Sequence, residues 1–241
     1  MMSLPDDHVQ WDSLVDKQHK LWKEEQKKRT ASGSSPWDMA HITISRTYGA
    51  RGYRIGELVG EKLRWKVYSR TLVEYIANRS NLRQKVVEAF DEKKRTRTLS
   101  QTLFEPSAYT PDKHYRHLVQ VLLSLANHGH AVIIGRGANF ITNKMEGLHV
   151  RVTASLESRI ERYANQQKIS FKEAKKKVES IDKERADYIK YHFQQDPTDP
   201  HHYDLVINVE NLTNEQVAEI IISALEIKLG EKRPELPATA D

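Results

Sequence analysis

Hydrophobic positions alternate between two rhythms along this chain. Strand-length apolar runs occur at Ile42-Thr43-Ile44-Ser45, Trp65-Lys66-Val67-Tyr68, Ala131-Val132-Ile133-Ile134, His149-Val150-Arg151-Val152 and Asp204-Leu205-Val206-Ile207-Asn208-Val209. Between them the apolar residues recur with helical spacing. Ile55, Leu58, Val59 and Leu63 predict one helix, and Leu72 to Ile76 and Val86 to Phe90 two more. Leu118, Val121, Leu122 and Leu125 predict a longer helix that stops near Gly129. Helices are expected at about 155–165 and 170–192. Thr213 with Gln216 resembles a capping box ahead of a last helix carrying Val217, Ile220, Ile221, Leu225 and Leu229.

Strands separated by helices imply βαβ units with right-handed crossovers, hence an α/β fold around a mostly parallel sheet. In such a sheet ligands bind beyond the carboxyl ends of the strands. That places the turns after Ser45, Tyr68 and Ile134 on one rim. The body is expected over 41–230. Residues 1–40 read as a helical extension and linker. Trp11, Leu14, Val15 and Trp22 fall near one helical face, and Thr30-Ala31-Ser32-Gly33-Ser34-Ser35-Pro36 is a small-residue linker. That face would pack on the body, or else form a homodimer or partner contact. Residues 231–241, with Pro234 and Pro237, read as a loose tail.

Composition narrows the chemistry. The 241 residues carry 38 Lys+Arg against 33 Asp+Glu, a formal charge of +5, and no cysteine. A disulfide framework, a thiolate zinc site and a cysteine nucleophile are therefore excluded. No apolar run approaches the ~20 residues that span a bilayer, and the N-terminus lacks a basic segment followed by an apolar one, so a cytoplasmic protein is expected. A mild basic excess suits phosphorylated ligands. The run Lys93-Lys94-Arg95-Thr96-Arg97 has no interleaved aromatics and reads as a solvated helix end, so nucleic acid is not an expected partner. His128-x-His130 and His201-His202 lack further ligands at a recurring zinc spacing and read as packed or solvated histidines, so no metal-binding residue is assigned.

The rim carries the candidate chemistry. The first turn, Ser45-Arg46-Thr47-Tyr48-Gly49-Ala50-Arg51-Gly52-Tyr53-Arg54, offers backbone N–H groups and a helix N-terminus to a phosphate, with arginines beside them. A plain β–α turn using glycine for positive φ explains the same residues, and the G-x-x-x-x-G-K-[ST] pattern is absent. The third turn, Ile134-Gly135-Arg136-Gly137, can present a guanidinium at the same edge. Arg159 and Arg162 share a helix face, and Asp182-Lys183-Glu184-Arg185 precedes a proline-containing loop. Such a segment suits a solvated helix or a lid over a triphosphate.

Taken in order, Ile42-Thr43-Ile44-Ser45-Arg46 with Tyr48-Gly49, Val67-Tyr68-Ser69-Arg70, Val132-Ile133-Ile134-Gly135-Arg136-Gly137, Asp182-Lys183-Glu184-Arg185 with Tyr188, and Tyr203-Asp204-Leu205-Val206-Ile207-Asn208 resemble the cytidylate kinase-like family, relatives of the nucleoside monophosphate kinases. The resemblance covers roughly residues 41–229. It implies a three-layer P-loop kinase-type fold with a five-stranded parallel core. It also implies transfer of a phosphoryl group from ATP, with Mg²⁺, to a monophosphate such as CMP or dCMP. On it, Ser45, Arg46, Tyr48, Gly49, Ala50, Gly52 and Tyr53 belong to the phosphate-binding loop. Arg70 and Arg136 would hold the acceptor. Arg159, Lys183 and Arg185 correspond to the arginine-rich lid, and Arg51 or Arg54 could stand in for the missing P-loop lysine.

Several positions depart from the family pattern. Gly52 stands where monophosphate kinases carry that lysine, and Tyr53 where they carry the Mg²⁺-linked Ser/Thr. Ser69 and Ile134 replace expected carboxylates. Where relatives often read Gly-Ser-Gly-Gly, this chain reads Gly49-Ala50-Arg51-Gly52. Two readings follow, a kinase and a nucleotide-binding regulatory or sensor protein with weak or lost turnover. A nucleic-acid or protein-interaction module using the basic run and N-terminal helix is a third.

Overall fold

In the computed structural model, residues 13, 15–18, 20–22, 35–88, 113–142, 144 and 146–234 are described. The five strands are β1 (His41–Arg46), β2 (Lys66–Tyr68), β3 (Ala131–Ile134), β4 (Gly147–Thr153) and β5 (Leu205–Asn208). All pair in parallel, in the order β2-β3-β1-β4-β5. The helices are α1 (Gly52–Leu63), α2 (Arg70–Asn78), α3 (Ser80–Glu88), α4 (Lys113–His128), α5 (Ala138–Ile141), α6 (Leu156–Gln167), α7 (Phe171–Phe193) and α8 (Asn214–Leu229). Short 3₁₀ turns occupy Pro36–Met39 and Pro200–His202.

Strand alternation divides the core into two layers. Ile42, Ile44, Val132, Ile134, Leu148, Val150 and Val152 pack with α1 and α8 on one face. Ala131 and Ile133 meet α2, α3 and α4 on the other. Gly56 and Gly60 let α1 lie close to the sheet, since a Cβ at either would strike Ile134 or Val67. The second face is less apolar than a buried parallel sheet ordinarily is. There the register sets Thr43 beside His149 and Ser45 beside Arg151. This polar column climbs from the sheet interior to the carboxyl edge of the strands.

At the foot of the column Thr43 Oγ1 and His149 Nδ1 are 2.7 Å apart. The His149 amide donates to Asp204 Oδ2 at 2.7 Å, and Lys228 pairs with the same carboxylate at 2.7 Å. His41 packs edge-on to His149 in space that a side chain at Gly147 would fill. Burial, followed by the charges of His149 and Lys228, pushes His41 down to about 3. Burial pushes His149 down to about 4, against the pull of Asp204.

Most of the expected elements form, with shifted ends. The Thr213–Gln216 capping box is present at α8, and a second, Ser170 with Glu173, starts α7. Pro36 does not belong to a slack linker: it opens the first 3₁₀ turn, capped by Ser35 and Asp38, which buries Trp37. Val15 and Trp22 are buried with α2, α3 and α4, and Trp22 stacks on His128 at 3.8 Å. These two residues of the N-terminal stripe are thus covered by the chain's own body. Trp11, Leu14, Phe90 and the basic run 93–97 lie outside the described residues. In the tail, Arg233 pairs with Glu219 and Glu226, and Glu231 accepts from Ser35 Oγ at 2.9 Å.

The two histidines make stability depend on pH. Each has a folded value below its unfolded 6.5, so the folded chain resists protons that the unfolded chain takes up. Their contribution is present above pH 6.5 and is lost as pH falls toward 4. Urea unfolding at pH 7 and pH 5 is expected to show a loss of about 2 kcal/mol for each histidine. A His149→Gln variant is expected to lose correspondingly less over the same interval; an unchanged pH dependence would contradict this account.

Candidate functional site at the carboxyl edge of the sheet

Two cavities meet at the carboxyl edge. The larger, about 430 Å³, lies over β1, β3 and β4 beneath α7. The smaller, about 310 Å³, lies over the turn between β1 and α1. Arg46, Thr47 and Arg185 line both and form the wall between them.

The turn into α1 is shaped by its close neighbours. Gly49 has φ +81° and lies so near α6 that a Cβ would come within 3.1 Å of Arg159 Cβ. Arg51 also adopts a left-handed conformation, φ 60°, at the N-cap of α1. Glycine would adopt it freely, whereas arginine there costs about 1 kcal/mol. The cost is offset by the Arg51 guanidinium, which donates to the carbonyls of Val209 at 2.5 Å and Leu212 at 2.8 Å. Arg51 thereby ties α1 to the loop after β5. The first amides of α1, at Gly52 and Tyr53, have no intrahelical acceptor and line the smaller cavity. Ala50, by contrast, is buried in the apolar layer and lines neither cavity.

Arg46 ends β1, and a Cβ at Gly52 would stand 2.9 Å from its own Cβ. Gly135 leaves room for its guanidinium, which a side chain there would strike. Burial is the main force lowering its pKa, to about 9, followed by Arg185, Arg70 and Arg136. Among the described residues no carboxylate forms an ion pair with it. Arginine keeps its proton in proteins. A cation so crowded and buried is one that an anion would stabilise, and both cavities reach it.

The third turn sets one guanidinium at the larger cavity. Gly135, Arg136 and Gly137 all have positive φ, at 85°, 57° and 65°. A Cβ at Gly137 would run into the Phe193 ring. The Arg136 side chain, only 10% exposed, pairs with Glu74 and lies 4.8 Å from the centroid of the Tyr188 ring. Arg70 opens α2 after the Ser69 cap and bridges Glu74 and Glu184. Burial and Arg70 both disfavour the charge on Arg136.

Helices α6 and α7 close the site from above. Arg159 is buried and donates to the carbonyls of Ala154 at 3.1 Å and Tyr48 at 2.9 Å, and it pairs with Asp182. Arg162 donates to Gly49 O at 2.6 Å. Arg185 donates to Arg46 O at 3.1 Å and sits over the Tyr48 ring. Lys183 lines the larger cavity.

The fold therefore gathers Ser45, Arg46, Tyr48, Gly49, Arg51, Gly52, Tyr53, Arg70, Arg136, Arg159, Lys183 and Arg185 around two adjoining spaces. Several wall residues had no role assigned from sequence. Arg151 donates to Ser45 Oγ and Tyr203 Oη at 3.3 and 3.4 Å, and its signal was a charge inside an otherwise apolar strand. Glu74 stands one helical turn after Arg70, a spacing that favours an ion pair. Asp182 sits inside a recognised motif, but its partner, the Tyr48 amide, is 134 residues away. Among the described residues no three His, Asp or Glu side chains cluster as a metal site. No helix among them is long and apolar enough to cross a membrane.

Comparison with solved structures gives an uncharacterized protein from Eubacterium ventriosum ATCC 27560 at TM-score 0.54 and 16% identity, covering 78% of this chain and 98% of that one. A shikimate kinase from Bacteroides thetaiotaomicron aligns at TM-score 0.42 and 15% identity, covering 79% and 98%. A dephospho-CoA kinase from Campylobacter jejuni aligns at TM-score 0.35 and 14% identity, with the same coverage. No curated protein matches the sequence.

The wall geometry makes a distinguishing prediction. Arg46→Met is expected to weaken binding of inorganic tripolyphosphate at least tenfold, as the loss of one buried charged donor implies. Arg51→Met is expected to change it less than threefold while lowering the melting temperature, because that guanidinium serves backbone carbonyls. Calorimetric titration at fixed ionic strength checks both; the reverse order of effects would contradict the assignment.

The Cytidylate kinase-like family matches residues 41–211, and this chain belongs to that family.

Proposed function

We propose that the chain is a nucleotide-binding phosphotransferase that moves the γ-phosphoryl group of ATP to a nucleoside monophosphate of the CMP or dCMP kind. The observation that carries this reading is Arg46, a crowded cation in the wall shared by two cavities, with no ion-pair partner among the described residues. Donor phosphates would lie in the smaller cavity on the amides of Gly52 and Tyr53. The acceptor phosphate would lie in the larger one on Arg136 and Arg70. Phosphoryl transfer asks a protein mainly for alignment and for charge stabilisation of the migrating group. Arg46 and Arg185 touch both spaces, and Arg159 and Lys183 lie beside them, so cations would surround the group in flight. Excluding water beneath α7 would strengthen each of these interactions.

Mg²⁺ would arrive with the triphosphate, since the described residues do not form a cage of their own. Asp182 is engaged by Tyr48 and Arg159, and Glu184 by Arg70.

A nucleotide-binding regulator or sensor with little turnover is the second reading. Gly52 supplies no lysine, and the nearest substitute, Arg51, is held by Val209 and Leu212. Loss of one well-placed donor costs about 3–4 kcal/mol, or ~10²–10³ in rate.

Thermal unfolding and ADP release, measured with ATP, Mg²⁺ and each common monophosphate, separate the readings. The kinase reading expects stabilisation by ATP and by a pyrimidine monophosphate, with turnover above background. Stabilisation without turnover favours the regulator. Arg136→Ala is expected to raise the acceptor KM at least tenfold and leave stabilisation by ATP in place. Absence of stabilisation by any nucleotide would overturn both readings.

A further inference from the structure

The phosphate loop already holds an anion, supplied by the chain itself. Asp182, in the middle of α7, accepts the Tyr48 amide proton on Oδ1 at 2.7 Å. Its other oxygen pairs with Arg159 Nη1, and that guanidinium also binds the Tyr48 carbonyl. A carboxylate oxygen thus meets a loop N–H and an arginine together, the two kinds of donor a phosphate oxygen takes at a helix-capped turn. Glu184, two residues on, pairs with Arg70.

The geometry points to Asp182 as the residue that sets how tightly this loop holds a polyphosphate. This rests on the reading of the first turn as the phosphate-binding loop. The carboxylate takes the Tyr48 amide and neutralises Arg159, so an incoming phosphate meets one donor fewer and one negative charge more. Arg162 on Gly49 O and Arg185 on Arg46 O hold the same loop from α6 and α7, so release of Asp182 is coupled to displacement of α7 relative to the turn. Asp182 and Arg159 line the larger cavity and Tyr48 the smaller, so binding a polyphosphate on the turn between them and freeing the Asp182 carboxylate are then one event. The chain discriminates by charge: a mono- or dianion does not repay the exchange, and a tri- or tetraanion does.

The test uses Mg²⁺-free tripolyphosphate, and inorganic sulfate as the low-charge comparison, titrated calorimetrically into the full chain at constant ionic strength. Asp182→Asn keeps an oxygen for the Tyr48 amide and removes the charge. It is expected to bind tripolyphosphate about fivefold more tightly than the wild type, and to narrow the preference for tripolyphosphate over sulfate. Glu184→Gln removes an equal charge from the same helix and is expected to change affinity less than twofold. Tripolyphosphate binding by the wild type, with Asp182→Asn equal or weaker, would overturn this inference and leave the loop reading intact. An equal gain from Glu184→Gln would also overturn it, since net charge alone would explain the effect. No binding by any of the three proteins would overturn the loop reading and this inference with it.

Discussion

More cations are gathered at one edge of a parallel sheet than the carboxylates among the described residues satisfy. Seven of them, Arg46, Arg70, Arg136, Arg151, Arg159, Lys183 and Arg185, line a single cavity of about 430 Å³. Asp182 and Glu184 line the same cavity, and Glu74 pairs with Arg136 at its wall. Arg46 has the least relief, because burial, Arg185, Arg70 and Arg136 all oppose its charge. A folded chain tolerates such an arrangement at a functional site and recovers the cost when an anion binds.

The rest of the fold serves that edge. Gly49, Gly52, Gly135 and Gly137 each sit where a Cβ would meet Arg159, Arg46 or Phe193, so absent side chains allow the arginines and the roof to close in. The α6–α7 pair packs through Ile160, Ala174 and Val178 and brings Arg159, Asp182 and Arg185 down on the first turn. On the far side of β1 and β4, the Thr43–His149 and Ser45–Arg151 pairs carry polar groups up from the core to the cavity floor. An apolar face there would have filled the space instead.

The fold was readable because each strand and helix announces itself locally. Ala131 to Ile134 is apolar at every position, as a strand buried on both faces must be, and Thr213 with Gln216 marks the start of α8. The rim was readable because glycine and arginine cluster in turns after strands. What stayed hidden depends on contacts between distant residues. The direction of the Arg51 guanidinium is set by carbonyls at 209 and 212. Ala50 stands in the turn before α1, yet it packs in the apolar layer. The hold of Asp182 on the Tyr48 amide spans 134 residues. The short helix at Ala138–Ile141 and the 3₁₀ turn at Pro36–Met39 are too brief to show a period.

The central claim is that phosphate is the missing counter-ion of the shared arginine wall. A crystal structure of the protein with ADP and a pyrimidine monophosphate tests it most directly. The account predicts phosphate oxygens within hydrogen-bond distance of the Arg46 guanidinium, with donor phosphates on the amides of Gly52 and Tyr53 and acceptor phosphate on Arg136. Nucleotides bound elsewhere, with Arg46 paired to a carboxylate of the chain, would contradict it.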